Sequence, residues 1–174
     1  MKMNKKLAQL MNEQVNHERF NEAFYWSCAS YFDSLSLENI ATYFKLHALE
    51  ERSHAERFYN YLDENGERVI IDAVKAPERD FKSMTQAFEL AVVAEEVTSE
   101  KIRKMSEVAA AEGDHRALKF LREFEAEQQE EEDLWTYNLD RAKLADGDKA
   151  ATLILDHEMA QREANGNKKY KCMK

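Results

Sequence analysis

The chain is expected to be all-α: a four-helix bundle with a long crossover between its second and third helices and a short fifth helix at the C-terminus. Three observations predict this. Four Gly and one Pro in 174 residues leave little to punctuate strands and turns, while Ala, Glu, Leu and Lys are abundant and favour helix. Apolar residues recur at spacings of four and seven in long segments, the stripe of an amphipathic helix. From Glu67 to Lys82 that period stops, and Val69-Ile70-Ile71 with Pro77 read as extended chain.

The first helix is placed at Asn4 to Phe32, with Leu7, Met11, Glu18, Tyr25 and Phe32 on one stripe. After the turn Asp33-Ser34-Leu35-Ser36, a second helix runs to Asn65, with Ser36 as its expected N-cap and Gly66 just past its end. Its stripe is Ile40, Phe44, Glu51, Phe58 and Leu62. The crossover of about sixteen residues, at roughly 3.3 Å each, can span the bundle, so the third helix can start at the same end as the second. Ser83 is expected to cap that third helix, which continues to Glu112 with Met84, Phe88, Glu95 and Ile102 on its stripe, before Gly113. A fourth begins near Asp114 and carries Phe120, Phe124, Glu127, Gln128, Glu131, Leu134 and Trp135 on its apolar side. Asp146-Gly147-Asp148 breaks the chain, and Asp148 is expected to cap the fifth helix. Residues 1–164 form one domain on this reading, and 165–174 a polar, Lys-rich tail.

A formal net charge of -9 disfavours nucleic-acid binding and favours cations. No apolar run approaches the roughly 20 residues of a membrane span, and the N-terminus has no secretory pattern, so a cytoplasmic protein is expected. Cys28 and Cys172 do not suggest a disulfide framework. Cys28 is expected to be a small core residue, Trp26 to serve in packing, and His17 to pack or lie at the surface.

The informative feature is acidic. Glu18, Glu51, Glu95, Glu127 and Glu131 all fall on core stripes, and no Lys or Arg shares those stripes. An ionised carboxylate in an apolar core is costly unless it is paired or holds a metal. His54 stands three residues after Glu51, on the same helix face. Oxygen ligands with one imidazole suit Fe, Mn or Zn. Taken singly, Glu51-x-x-His54 and the run Glu127 to Asp133 could each be a solvated helix face, and Glu112-x-x-His115 is broken by Gly113. The coincidence of a Glu near the middle of each of four helices favours a shared metal centre.

These motifs resemble those of bacterial non-haem ferritins. The resemblance rests on Asn12 to Glu18, His47 to His54, Glu95 and Glu127-Gln128-Gln129-Glu130-Glu131, and extends to about Ala164. It implies a first iron held by Glu18, Glu51 and His54. Glu51 would bridge to a second iron held by Glu95, with Gln128 nearby and Glu131 within reach. Glu50, Glu127, Glu130 and Glu131 match a third iron site. Tyr25 matches a tyrosine beside the di-iron centre that can supply an electron. Arg52 stands where haem-ligating members carry Met, so no haem is expected. Leu118 and Leu121 stand where animal members carry channel carboxylates, which leaves the iron entry route open.

The resemblance thus implies a ferroxidase and iron store. Fe(II) would be oxidised by O2 or H2O2 and kept as ferric oxyhydroxide in a self-associated shell of 24 subunits. His47 and Glu50, three apart, could line the inward route or pair at the surface. Alternatives are a di-iron oxidase of an organic substrate, a DNA-protecting miniferritin, and a structural subunit with a silent site.

Overall fold

The computed structural model describes residues 3–166, with side chains as far as residue 160. Among these, the elements are α1 (Lys5–Ser34), α2 (Glu38–Glu64), α3 (Met84–Ala111), α4 (His115–Ala145) and α5 (Lys149–Gly166), with no strand. None of these helices is long and apolar enough to cross a membrane. The helix α5 continues past the expected start of the polar tail, and the rest of that tail, Cys172 included, lies outside the described residues.

The helix starts follow local chemistry where a capping side chain is available. Asn4 Oδ1 accepts from the Lys6 and Leu7 N–H groups at 2.8 and 3.3 Å, Ser83 Oγ from Gln86 N–H at 3.1 Å, and Asp114 Oδ1 from Ala117 N–H at 3.0 Å. Asp148 likewise accepts from Ala150 and Ala151 N–H.

The start of α2 corrects one expectation. Ser36 does not cap it: Ser36 sits at φ 60, and Leu37 holds the cap position without a side-chain bond. The chain leaves α1 in a tight turn, with the Leu35 and Leu37 N–H groups both bonded to Phe32 C=O and the Ser36 N–H to Asp33 C=O. That turn forces Ser36 into the left-handed region. The orphan donors of α2 are met from α5 instead. Asp156, buried, accepts from Asn39 and Ile40 N–H at 3.1 and 2.9 Å and from Asn39 Nδ2 at 2.7 Å.

Two apolar clusters stand at opposite ends of the bundle. One joins Phe32, Phe44, Phe88 and Trp135 with Leu155 and Met159 of α5. The other joins Leu7, Phe58, Ile102, Leu121 and Phe124. The N-terminal halves of α2 and α3 both contribute to the first cluster and their C-terminal halves to the second, so these helices run parallel. The crossover makes this possible by lying along the polar side of α1. Asn12 exchanges hydrogen bonds with the Ile70 backbone, Asn16 accepts from Asp72 N–H at 2.8 Å, Arg19 donates to Asp72 C=O at 2.8 Å, and Ser27 donates to Glu78 C=O. The extended backbone is thereby satisfied without a sheet.

Trp26, expected to serve in packing, is 44% exposed. It follows Tyr25 by about a hundred degrees of helix rotation, which takes it off the buried stripe. Cys28, on the inner side, is fully buried.

Candidate metal centre

Between the two apolar clusters lies a buried polar layer formed by Gln14, Glu18, Glu51, His54, Glu95 and Gln128. Each lies near the middle of its helix, where the stripe passes between the two ends. Single ligand atoms of Glu18, Glu51 and His54 all fall within 4.8 Å of one another. His54 Nδ1 is 3.7 Å from Glu51 Oε2. Glu18 Oε1 accepts from Gln14 Nε2 at 2.8 Å, and Gln14 sits one turn earlier on the same face. Glu18 Oε2 and Glu51 Oε2 are buried with no hydrogen-bond donor.

The electrostatics follow from this crowding. Burial, then the Glu51 charge, pushes the Glu18 carboxyl well above the usual carboxylate range. Burial, then the Glu95 charge, does the same to Glu51. Burial and the neighbouring charges thus oppose ionisation of both carboxyls, an opposition that a bound cation would relieve. Glu95 is raised by burial but moderated by donors: Tyr25 Oη donates to its Oε1, and Gln128 Nε2 to its Oε2 at 3.0 Å. Tyr25 is fully buried and stacks on Trp135 with centroids 5.3 Å apart. Burial also raises its phenol well above the usual value.

Glu127 and Glu131 depart from the expected core placement, and Glu130, matched only to the third iron site, lies outside it. The Glu127 side chain is 28% exposed and the Glu131 side chain 14%, while Glu130 is exposed. The outward turn of Glu127 has a partner, because Arg57 Nη1 lies 2.6 Å from its Oε2 and the guanidinium stacks 3.9 Å above the Phe124 ring. A cation therefore does reach the edge of the layer. Burial resists ionisation of Glu127, yet its bonds to His54 and Arg57 prevail and draw its pKa down to about 2. Burial likewise opposes the charged form of His54, but the Glu127 bond and the Glu18 and Glu50 charges raise its pKa overall. Arg57 lies three residues after His54, a spacing that could have signalled it.

The structure also gathers a second group. His47 Nδ1 lies 3.6 Å from Glu50 Oε2 and 3.5 Å from Glu131 Oε2, and these three have ligand atoms within 4.8 Å of one another. Burial lowers the His47 pKa to about 4 against the opposing pull of Glu50, leaving its ring a neutral donor at pH 7. On α2 the order His47-x-x-Glu50 mirrors Glu51-x-x-His54, so one helix supplies a histidine and a carboxylate to each group.

Of the other sequence features, His17 packs half-buried with its Nε2 2.9 Å from Thr98 Oγ1. Glu112 and His115 are both exposed and join no cluster. Carboxylates with buried oxygens that no donor satisfies, beside an imidazole, form a donor set suited to a hard or borderline transition metal.

The Ferritin-like domain family matches residues 8–145. The chain belongs to this ferritin family. It is 31% identical over 160 residues to a bacterial non-heme ferritin of Staphylococcus aureus, covering 92% of this chain and 96% of that one. It is 33% identical over 164 residues to the corresponding protein of Staphylococcus epidermidis, covering 94% and 98%. An open-pore ferritin from the hyperthermophilic archaeon Archaeoglobus fulgidus superposes with a TM-score of 0.88 at 32% identity, covering 91% of this chain and 98% of the archaeal one. In this ferritin chain Arg52 is exposed and pairs with Glu56 at 3.5 Å. Leu121 is wholly buried and Leu118 packs against the same apolar cluster.

Proposed function

We propose that the chain is an iron-storage ferritin subunit that oxidises Fe(II) at a di-iron centre within its own bundle. The observation that carries the reading is the buried set Glu18, Glu51 and His54, whose ligand atoms converge while two carboxylate oxygens lack any donor. Such oxygens are costly without a cation. On this reading Glu18, Glu51 and His54 would bind one Fe(II), and Glu51 would reach a second held by Glu95, with Gln128 adjacent and Glu131 within reach. Glu50, Glu127, Glu130 and Glu131 form a third iron site facing the storage cavity.

Two substrate ions give up one electron each. O2 accepts both with two protons to yield H2O2, or H2O2 accepts both with two protons to yield two waters. The carboxylates favour Fe(III), the harder and more highly charged ion, and so lower the potential. On this reading Tyr25, bonded to Glu95 through its hydroxyl, would supply one electron in place of one Fe(II), its phenol proton passing to Glu95. The product is stored as ferric oxyhydroxide in a cytoplasmic shell of 24 copies, in which the exposed Leu153 and Ile154 of α5 pack against other subunits.

An oxidase of organic substrates would need an apolar chamber at the metals. An apolar groove of the described residues opens away from them, between α1 and α3, lined by Phe20, Phe24, Leu90, Val93 and Val97 without any of the proposed ligands. A structural subunit with a silent site would bind little iron. Aerobic Fe(II) oxidation saturating near about two irons per chain, followed by sizing of the assembly, tests the proposal. Glu18→Ala and His54→Ala should each abolish the fast phase. Unchanged oxidation in both would overturn the reading.

A further inference from the structure

A pocket of about 250 Å³ opens between α3 and α4, lined by Ser99, Ile102, Arg103, Glu125, Gln128, Gln129 and Glu132. Its innermost polar group is the Gln128 amide, which is buried. The same amide donates to Glu95 Oε2 at 3.0 Å, to Glu95 C=O at 3.3 Å and to Ser99 Oγ at 3.4 Å. One uncharged side chain therefore stands between a solvent-facing pocket and a carboxylate of the proposed centre.

The wall is suited to a cation. Arg103 is its only cationic residue, and it is held by Glu100 and Glu107 on its own helix, at 2.5 Å each. Glu125 and Glu132, on the opposite helix, leave the pocket acidic. The first-sphere waters of an octahedral divalent ion occupy about 180 Å³ of liquid volume, so a hydrated ion fits. The positions that left the entry route open in the sequence carry no acidic group, Leu121 being buried in the core and Leu118 packed against it. Away from the residues lining this pocket, Glu127 and Glu130 of α4 and Glu50 of α2 are all at least partly exposed.

We propose that the α3–α4 pocket is the inlet by which a hydrated divalent cation reaches the centre, with Gln128 the group it displaces on entry. The carboxylates on the α2–α4 side then serve the outgoing product, so traffic through the bundle runs one way. This rests on the ferroxidase reading above.

Anaerobic stopped-flow uptake of Co(II) by the assembled protein, followed by its ligand-field absorption, tests the inlet without requiring oxidation. Ser99→Phe, which fills the mouth, should slow uptake about tenfold at unchanged final stoichiometry. The double variant Glu125→Lys/Glu132→Lys should slow it by about the same factor and flatten its dependence on ionic strength. Glu96→Lys, exposed on α3 outside the pocket, should leave uptake unchanged. Uptake in the double variant that matches the unmodified protein would overturn the inlet, whether or not Ser99→Phe folds. Failure of the unmodified protein to take up Co(II) would instead overturn the metal centre itself.

Discussion

Glu18 illustrates how function and stability oppose each other at a single residue. Its carboxyl is fully buried, one oxygen lacks a donor, and burial with the Glu51 charge holds its pKa well above the ordinary value. A carboxyl raised in the folded state binds more protons there than when unfolded. Its stabilising contribution is present below the unfolded pKa and is lost as pH rises through the folded one. Chelator-treated protein should therefore lose thermal stability from about pH 5 upward, and a divalent ion should remove that slope. Glu18→Gln should raise the stability of the metal-free protein at pH 8 by about 1–2 kcal/mol, while weakening metal binding. Scanning calorimetry with and without Zn(II) reads both effects, and a destabilised Glu18→Gln variant would contradict them. His17 has the opposite dependence. Burial, then Lys101, lowers its pKa to about 4, so the unfolded chain binds the extra proton below pH 6.5. Stability present above that pH should fall by about 3 kcal/mol as pH drops toward 4. His17→Gln should flatten this acid limb in a pH series of unfolding midpoints.

At the scale of elements, α2 depends on α5 for its first turn. Asp156 caps Asn39 and Ile40 across the fold, whereas Ser36 contributes no side-chain cap. Asp156→Ala should cost about 1–2 kcal/mol of stability, and Ser36→Ala much less. Chemical denaturation of the two variants side by side checks the contrast, and equal losses would contradict it. Periodicity revealed the helices because stripes at four and seven depend only on the chain's own twist. It could not reveal this cap, since donor and acceptor lie more than a hundred residues apart and no local pattern links them. The pairing of Arg57 with Glu127 escaped for the same reason: the two stand on different helices, and only the packing of α2 against α4 brings them to 2.6 Å.

Across the whole molecule, two apolar clusters hold the ends of the bundle and leave its middle to polar groups. Rigid ends keep the carboxylates converged although their mutual repulsion favours separation. The outer side of α5 adds a surface that a monomer does not need: Leu153 is 62% exposed and Ile154 58%. Leu153→Glu/Ile154→Glu should shift the protein from a large shell to smaller species in size-exclusion chromatography with light scattering. Helicity should be retained, and an unchanged shell would place the assembly contact elsewhere.

The amino-acid order alone determined four amphipathic helices, the long crossover and a carboxylate near each helix centre, because helix geometry converts spacing into a shared face. It also pointed to Glu51 and His54, which are neighbours on one helix whatever surrounds them. Only the tertiary structure decided which carboxylates are sealed in, with Glu18, Glu51 and Glu95 inside and Glu127 and Glu131 at the edge. It alone brought His47 to Glu131 and opened a pocket onto Gln128. Those outcomes depend on how far each helix is turned and shifted against its neighbours, and contacts between distant segments set that geometry.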